Sequence, residues 1–232
     1  SEKRAYVRRI FSEIAGPYDL LNRVLSRGID RRWRRQATAA LRWRGRPDGA
    51  YVDLCAGTLD VGAQLARERD FTGFIVGADF AEPMLRAGAG KAPARRLALV
   101  VADALDLPVP SGSAAGVIVA FGIRNLADLD AGLREAHRVL APGARLVILE
   151  FSTPRLPVVR SLYRLYFHRV LPAIGRAVSG HPTAYRYLPE SVDRFPQQDV
   201  LAARMRAAGF SSVSWRPLSF GIAALHAGER AS

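Results

Sequence analysis

The sequence predicts an α/β fold built on a doubly wound, mostly parallel sheet. From residue 50 onward, short apolar runs alternate with amphipathic helical stretches, which is typical of a sheet flanked by helices on both faces. Two further apolar runs near the C-terminus predict an antiparallel strand. The chain has 232 residues, of which 49% are hydrophobic and 24% charged, enough for one core. We therefore predict a single domain over residues 1–232.

The elements are predicted in chain order. Residues 1–46 are expected to form a helical cap with helices over Arg4–Ile14, Asp19–Leu25 and Arg31–Leu41, the last with Asp30 as N-cap. Strands are predicted over Ala50–Cys55, Gly73–Asp79, Leu97–Val101, Gly116–Phe121 and Ala144–Phe151. The helices between them are Asp60–Arg69, Glu82–Gly90 and Asp128–Leu140, the last ended by Pro142 and Gly143.

After the fifth strand the pattern changes. Residues 152–197 are rich in Pro, Arg and aromatic residues and predict a helical insert, with a helix over Val158–Leu171 and a looser stretch through Tyr185–Pro189. The predicted elements then resume with a helix over Gln198–Ala208 that Gly209 ends, and with two strands, Ser212–Leu218 and Ile222–Ala227. The short connection between these two strands predicts antiparallel neighbours.

Composition and charge narrow the functional classes. No apolar run is long enough for a transmembrane helix, the first residues lack a secretory signal, and the single cysteine, Cys55, points to the reducing cytosol. The net charge is +13, with an excess of +9 in residues 1–46 and +6 in residues 151–189. Such localised charge suits an anionic partner, either phospholipid or nucleic acid, or else a solvated basic face.

Polar residues follow four of the predicted strands where ligands of open parallel sheets bind. Asp53 and Gly57 belong to the turn after the first strand, Asp79 ends the second, and Asp103 with Ala104 follows the third. Each acid alone could cap a helix or satisfy a turn. Their recurrence on one rim favours a shared ligand with a ribose, which Asp79 would bind.

A nicotinamide cofactor is disfavoured because the first turn lacks a G-x-G-x-x-G pattern. Asp60 in that turn is also poorly suited to a pyrophosphate. A positively charged ligand without phosphates fits better, and S-adenosylmethionine is the obvious candidate.

Several stretches resemble a known family. They are FSEIAGPYDLLNRVLSRGIDRRWRR, DLCAGTLD, GADFAEPMLRAG, DALDLPVPSGSAAGVIVAFGIRN, HRVLAPGARLVILEFS, LPAIGRAVSGHPTAYRYLPESVDRFP and GIAALHAGE. With them the chain resembles the ubiquinone/menaquinone biosynthesis C-methyltransferases, a group with the class I, Rossmann-like fold that uses S-adenosylmethionine. The first turn is weakly specific, whereas FGIRN followed by YRYLPES is highly so.

The resemblance implies a set of cofactor contacts. It places Thr58 and Asp79 against S-adenosylmethionine, with Asp103 and Ala104 at the adenine. Ala120 stands where many members have Ser, so only a backbone contact carries over. The clearest departure is Leu59, where the family usually has Gly, and a leucine there is strained if the position needs a positive φ.

The implied reaction is methylation of a ring carbon of a prenylated hydroquinone, either demethylmenaquinol or its benzoquinol counterpart. Arg124 would stabilise the developing phenolate and Asn125 would orient a water, while the alternative for Arg124 is a structural salt bridge. Tyr185 and Tyr187 either line the quinol pocket or pack. No metal site is predicted.

The insert suggests how an apolar acceptor arrives. Arg160, Arg164 and His168 form a polar stripe on the helix predicted over Val158–Leu171, with aromatic and aliphatic residues on the other side. This pattern is typical of an interfacial helix, although a lid would look the same. We expect a cytoplasmic protein that associates peripherally with the inner face of an anionic membrane. The alternatives are a methyltransferase acting on O or N of another lipid-like molecule, and a basic nucleic-acid-binding protein. Against the second alternative, the sequence contains no nucleic-acid recognition motif.

Overall fold

The computed structural model describes residues 2–14, 28–170, 173 and 182–232. Its centre is a twisted sheet whose strands are β1 Ala50–Leu54, β2 Phe74–Asp79, β3 Leu97–Val101, β4 Ala114–Ala120, β5 Leu140–Phe151, β6 Phe210–Leu218 and β7 Ala223–Arg230. In space the order is β3-β2-β1-β4-β5-β7-β6. The order in which successive strands are added reverses between β1 and β4, which creates the crevice where such folds bind ligands.

The strand directions confirm the predicted fold class. β1 to β5 pair in parallel, and β7 pairs antiparallel with both β5 and β6. The predicted antiparallel neighbours near the C-terminus are therefore present, and β7 is inserted between β5 and β6. The inner parallel strands β1, β4 and most of β2 and β5 are buried, whereas Leu99 and Val101 of the edge strand β3 are exposed.

The described helices are α1 Glu2–Ile14, α2 Ile29–Ala40, α3 Asp60–Ala66, α4 Glu82–Gly88, α5 Leu129–Val139, α6 Pro157–Leu165, α7 Pro182–Asp193 and α8 Gln198–Ala207. A π-helical turn, Tyr166–Val170, extends α6. Asp128 caps α5 by accepting a hydrogen bond from the Ala131 N–H at 2.9 Å. None of the described helices is long and apolar enough to cross a bilayer.

Several predicted boundaries were wrong, and Pro142 and Gly143, which were expected to end the helix before β5, lie within that strand. Asp30 is not the N-cap of α2, because Gly28 occupies that position with φ of 77° and Asp30 lies in the first turn. The helix before β5 ends at Val139, since Leu140 already pairs with Ala114 in the sheet. The stretch through Tyr185–Pro189 is not loose but helical, within α7. The predicted helix Asp19–Leu25 lies outside the described residues.

Two apolar layers hold the sheet to its helices. One layer packs Trp33 of α2 and Leu59 against Ile118 and Val147. The other packs α5 and α8 against the opposite face, through residues such as Leu133. Burying each such side chain contributes about 1.5–3 kcal/mol. The layers thus fix the strand ends whose polar residues form the site.

Helix α1 covers the strand ends. Its Phe11 packs on Ala81 and Met84 at the start of α4. On the other side, Tyr6 meets Tyr187 of α7 edge to face, with ring centroids 5.8 Å apart. The cap and the insert are therefore in contact above the sheet.

Candidate active site

A cleft of about 850 Å³, partly open to solvent, lies at the carboxyl ends of β1 to β4. Seven residues that the sequence singled out line it together, and they are Gly57, Thr58, Asp79, Asp103, Ala104, Ala120 and Asn125. Four elements of the sheet contribute to this set. The structure thereby brings most of the predicted rim into one place.

The turn after β1 forms the floor of the cleft. Its backbone has left-handed conformations at Cys55, Gly57 and Leu59, with φ of 54°, 52° and 65°. At Gly57 the absence of a side chain lets a ligand approach the backbone. The Gly57 N–H donates to Asp79 Oδ2 at 2.8 Å, which ties the turn to the end of β2.

Asp79 is a buried carboxylate at the cleft wall, only 8% exposed. Besides the Gly57 N–H, it accepts the Ala81 N–H on Oδ1 at 2.8 Å. Burial raises the pKa of Asp79, and these backbone hydrogen bonds oppose the rise. A carboxylate offers about four lone pairs, so Asp79 can still accept a hydrogen bond from a ribose hydroxyl.

Asp53 lies behind the turn and does not line the cleft. Its Oδ2 accepts the Gly62 N–H at 2.8 Å, which anchors the start of α3 to β1. Burial raises the pKa of Asp53 to about 7, while the Gly62 hydrogen bond and the charge of Arg34 act in the opposite direction. Direct contact between Asp53 and a cofactor stays a prediction, and the geometry shows a support for the turn.

Leu59 has a positive φ of 65°, the backbone conformation that predicts strain for a leucine at a position where the family usually has Gly. Its side chain is nevertheless fully buried in the apolar layer rather than in the cleft. A Cβ at Gly77 would lie 2.3 Å from Leu59 Cδ2, so the missing side chain of Gly77 leaves the space that Leu59 fills. The backbone cost of about 1–2 kcal/mol is offset by burial.

Arg124 lies beneath the cleft in a buried ion pair. Its Nη1 donates to Glu150 Oε1 at 2.7 Å, and its Nε donates to Ser191 Oγ at 3.1 Å. The guanidinium also donates to the Phe121 carbonyl. Burial raises the pKa of Glu150, and Arg124 opposes that rise. This arrangement favours the structural alternative, and contact between Arg124 and substrate stays a prediction.

Asn125 reaches the cleft from the same turn. Its Oδ1 accepts a hydrogen bond from the Tyr187 hydroxyl at 3.0 Å. Tyr187 is half-buried, and burial raises its pKa, which keeps the hydroxyl protonated. The side chain of Tyr185 lies outside the described residues.

Sequence reasoning missed three residues that shape the site. Glu150 had a visible signal, since a carboxylate within the apolar run LVILEF requires a buried partner. Ser191 and Arg34 had none, because only the fold brings α7 and α2 to the strand ends. Arg34 lines the cleft opposite Asp79, with its guanidinium carbon 5.5 Å from the centre of the Phe121 ring.

The fold and the cleft define the class. A glycine turn, a buried carboxylate at the next strand end and an acid after β3 fit S-adenosylmethionine, and the protein is an S-adenosylmethionine-dependent methyltransferase. The model of the ubiE/COQ5 methyltransferase family matches residues 1–230, and the chain belongs to that family.

Named relatives agree. The demethylmenaquinone methyltransferase of Thermus thermophilus is 51% identical over 95% of this chain and all of its own length. That of Deinococcus radiodurans is 47% identical over 99% of this chain and 94% of its own. A ubiquinone/menaquinone biosynthesis C-methyltransferase of Geobacter sulfurreducens is 44% identical over 99% and 90% of the two chains.

A solved structure is similar in fold alone. A possible histamine N-methyltransferase from Thermotoga maritima superposes with a TM-score of 0.68 at 18% identity, over 96% of this chain and 98% of the other. This likeness confirms the class I methyltransferase architecture. At such identity it carries nothing about the acceptor.

Proposed function

We propose that the protein methylates a ring carbon of a prenylated hydroquinone, with demethylmenaquinol as its preferred acceptor. The observation that carries the proposal is Asn125, which lines the cleft together with Phe11 and Phe121 and accepts a hydrogen bond from the Tyr187 hydroxyl. A flat apolar ring with hydroxyl groups matches such a surface. The names of the Thermus and Deinococcus relatives support the choice of demethylmenaquinol.

The cofactor contacts belong to the same proposal. Gly57, Thr58, Asp79 and the pair Asp103–Ala104 bind S-adenosylmethionine, and Ala120 contributes its backbone. The cofactor, when bound, supplies an electrophilic methyl group. The role of the protein residues is to orient the two reactants and exclude water, because a methyl transfer in line needs mainly proximity and electrostatics.

The acceptor carbon becomes nucleophilic when a neighbouring ring hydroxyl loses its proton. The Asn125 amide Nδ2 donates to the charge that develops on that oxygen, and the Tyr187 hydroxyl, which donates to Asn125 Oδ1, holds the amide in place. The proton leaves through water. With the cofactor bound, the ring carbon would take the methyl group as the sulfur–methyl bond breaks, which would leave S-adenosylhomocysteine. The hydrogen on the methylated carbon would then leave as a second proton and restore the aromatic ring, and the hydroxyl would recover its proton from solvent.

Arg124 acts in this scheme as a positioning residue. Its hydrogen bonds to the Phe121 carbonyl and to Ser191 join the turn that carries Asn125 to the helix that carries Tyr187. A guanidinium stays protonated at all physiological pH values, so Arg124 is not the base.

An acceptor assay tests the proposal. The protein is incubated with S-adenosylmethionine carrying a labelled methyl group and with either demethylmenaquinol or the benzoquinol precursor of equal prenyl length. We expect a ring-carbon methyl product, with the higher kcat/KM for demethylmenaquinol. A product methylated on oxygen, or no transfer to either quinol, would contradict the proposal.

The surface of α6 supports peripheral binding to an anionic membrane at the inner face. Val158 and Leu162 are 73% and 64% exposed, and Phe220 of the neighbouring β6–β7 loop is 76% exposed. That loop lies beside the start of α6, since Ser152 Oγ donates to the Gly221 carbonyl at 2.7 Å. Arg160 and Arg164 flank the apolar residues, and residues 151–189 contain no acid. Apolar insertion combined with basic charge is typical of interfacial helices.

Co-sedimentation with vesicles tests this surface. Each basic residue near an anionic surface contributes about 1 kcal/mol, so Arg160→Glu with Arg164→Glu should strongly reduce binding to anionic vesicles. The matched control, Arg95→Glu with Arg134→Glu, changes the charge equally on exposed positions elsewhere. Equal losses in the two variants, or equal binding of the protein to neutral vesicles, would remove α6 as the membrane surface.

A further inference from the structure

Arg34 of α2 has one buried hydrogen-bond donor, its Nε, without a close partner in the described part of the chain. The residue is 8% exposed, and its Nε has no hydrogen-bond partner among the described residues. Its ion-pair contacts are long, 3.5 Å from Nε to Asp30 Oδ2 and 3.6 Å from Nη1 to Asp60 Oδ2. A guanidinium carries five N–H donors, and burying them unsatisfied is costly. The guanidinium lines the cleft, so an anionic group bound there can satisfy it.

The acids around Arg34 do not depend on it for compensation. Asp60 accepts a hydrogen bond from Lys91 at 2.6 Å, much closer than its contact with Arg34. Asp53 holds the Gly62 N–H. The guanidinium therefore remains available for a ligand, and its charge also opposes the rise that burial causes in the pKa of Asp53.

The position of Arg34 along the cleft identifies the ligand group. The sheet order places Asp103 after β3 at one end, then Asp79 after β2, then the turn after β1, and Phe121 after β4 at the other end. Arg34 stacks over Phe121, at the end opposite Asp103. S-adenosylmethionine has its adenine, ribose and amino-acid parts in a linear order. With the ribose at Asp79 and the adenine at Ala104, the amino-acid part extends toward β4.

We propose that Arg34 binds the carboxylate of the methionine portion of S-adenosylmethionine. A guanidinium and a carboxylate form paired, charge-assisted hydrogen bonds, which are the strong class. The competing role for Arg34 is a structural link between α2 and the turn after β1. The proposal concerns the cofactor alone and does not depend on the identity of the acceptor.

Calorimetric titration with two probes separates these roles. S-adenosylhomocysteine carries the carboxylate, and 5′-methylthioadenosine has the same adenine and ribose without it. For Arg34→Gln we expect a roughly 10- to 100-fold weaker Kd for S-adenosylhomocysteine, the range for a lost charged hydrogen bond. For 5′-methylthioadenosine we expect less than about twofold change, because no bond is lost.

Two further variants calibrate the measurement. Asp79→Asn should weaken both probes by similar factors, since both contain the ribose. Arg35→Gln changes the same charge at an exposed position of α2 and should affect neither. If Arg34→Gln no longer unfolds cooperatively on heating, Arg34→Lys replaces it in the test. For Arg34→Lys we expect a smaller loss of affinity that is confined to S-adenosylhomocysteine. Equal losses for both probes, or no loss for either, would overturn the proposal and leave Arg34 a structural residue.

Discussion

The hydrogen bonds at the end of the cleft proposed to bind the cofactor (the cofactor end) join residues close in the chain, whereas those at the end proposed to bind the acceptor (the acceptor end) join distant segments. Asp79 bonds to residues 2 and 22 positions away, and Asp53 to one 9 positions away. At the acceptor end, Arg124 bonds to Ser191 and Asn125 to Tyr187, across 67 and 62 positions. The first region is a property of one strand–turn–helix unit and its neighbour. The second exists only once the insert has packed on the sheet.

This difference suggests how each region responds to change. At the cofactor end each hydrogen bond joins an Asp side chain to a backbone N–H group, and only a substitution by proline removes the backbone donor. The acceptor end relies on side chains, including one buried ion pair. We therefore expect damage at the acceptor end to destabilise the packing of the insert, and damage at the cofactor end to remain local.

The largest effect is expected for Glu150→Ala. It leaves the buried Arg124 charge without its partner, which costs about 3–5 kcal/mol of unfolding free energy. Urea denaturation measures the loss. Glu82→Ala is the control, because its ion pair with Arg86 is exposed and should contribute less than about 1 kcal/mol. Similar losses for the two variants would show that the Arg124–Glu150 pair is not the anchor we describe.

Substitutions of Leu59 probe the turn. Leu59→Ala removes a fully buried side chain at an unchanged positive φ, and we expect a loss of about 2–5 kcal/mol. Leu59→Gly removes the same atoms but relieves the backbone, so it should be about 1 kcal/mol more stable than Leu59→Ala. The comparison is made by urea denaturation. Greater stability of the alanine variant would mean that the turn is not strained.

The pH dependence of stability tests the buried state of Asp53. Its pKa is raised from 3.8 to about 7 in the folded protein, so the folded state binds more protons than the unfolded state between about pH 4 and pH 7. Stability from this group is therefore present at low pH and is lost as pH rises through that window. Asp53→Asn keeps an acceptor for Gly62 and should flatten the curve. If the slope of unfolding free energy against pH is the same in Asp53→Asn, then Asp53 does not titrate in this pH window.

The smallest effect is expected for Tyr187→Phe. The variant keeps the ring and its contact with Tyr6 but loses the hydrogen bond to Asn125. We expect kcat/KM for the quinol to fall by about fivefold, the value of one hydrogen bond of about 1 kcal/mol. The Kd of S-adenosylhomocysteine should stay the same. A weaker Kd with normal turnover would instead assign Tyr187 to the cofactor end.

Much of the sheet could be predicted from sequence because its strands are apolar runs bounded by turn residues. The bounds of β3 agree with the prediction at both ends. The errors arose where longer-range contacts decide the local structure. Leu140 joins β5 because Ala114 offers a strand edge, and α7 continues past Pro189, a buried residue at which a sequence pattern alone predicts the end of a helix.

The candidate site shows the same difference between features that the local sequence determines and features that long-range contacts determine. Asp79, Asp103 and Gly57 could be predicted because strand ends converge at one edge of a parallel sheet. Arg124 was predicted to lie at that edge, but its pairing with Glu150 depends on how β5 and the turn after β4 meet in space. Arg34 lies 26 residues from Asp60 in the sequence, and no local pattern marks their contact.

The fit between Leu59 and Gly77 constrains how the sequence can evolve. A methyl group at position 77 would meet Leu59 Cδ2 at 2.3 Å, so Gly77→Ala is unfavourable while leucine is present. Once Leu59 has been replaced by a smaller residue, alanine at position 77 fills the cavity instead. The replacement of Leu59 by a smaller residue must therefore come before Gly77→Ala. Which residues position 77 accepts depends on which residue already occupies position 59.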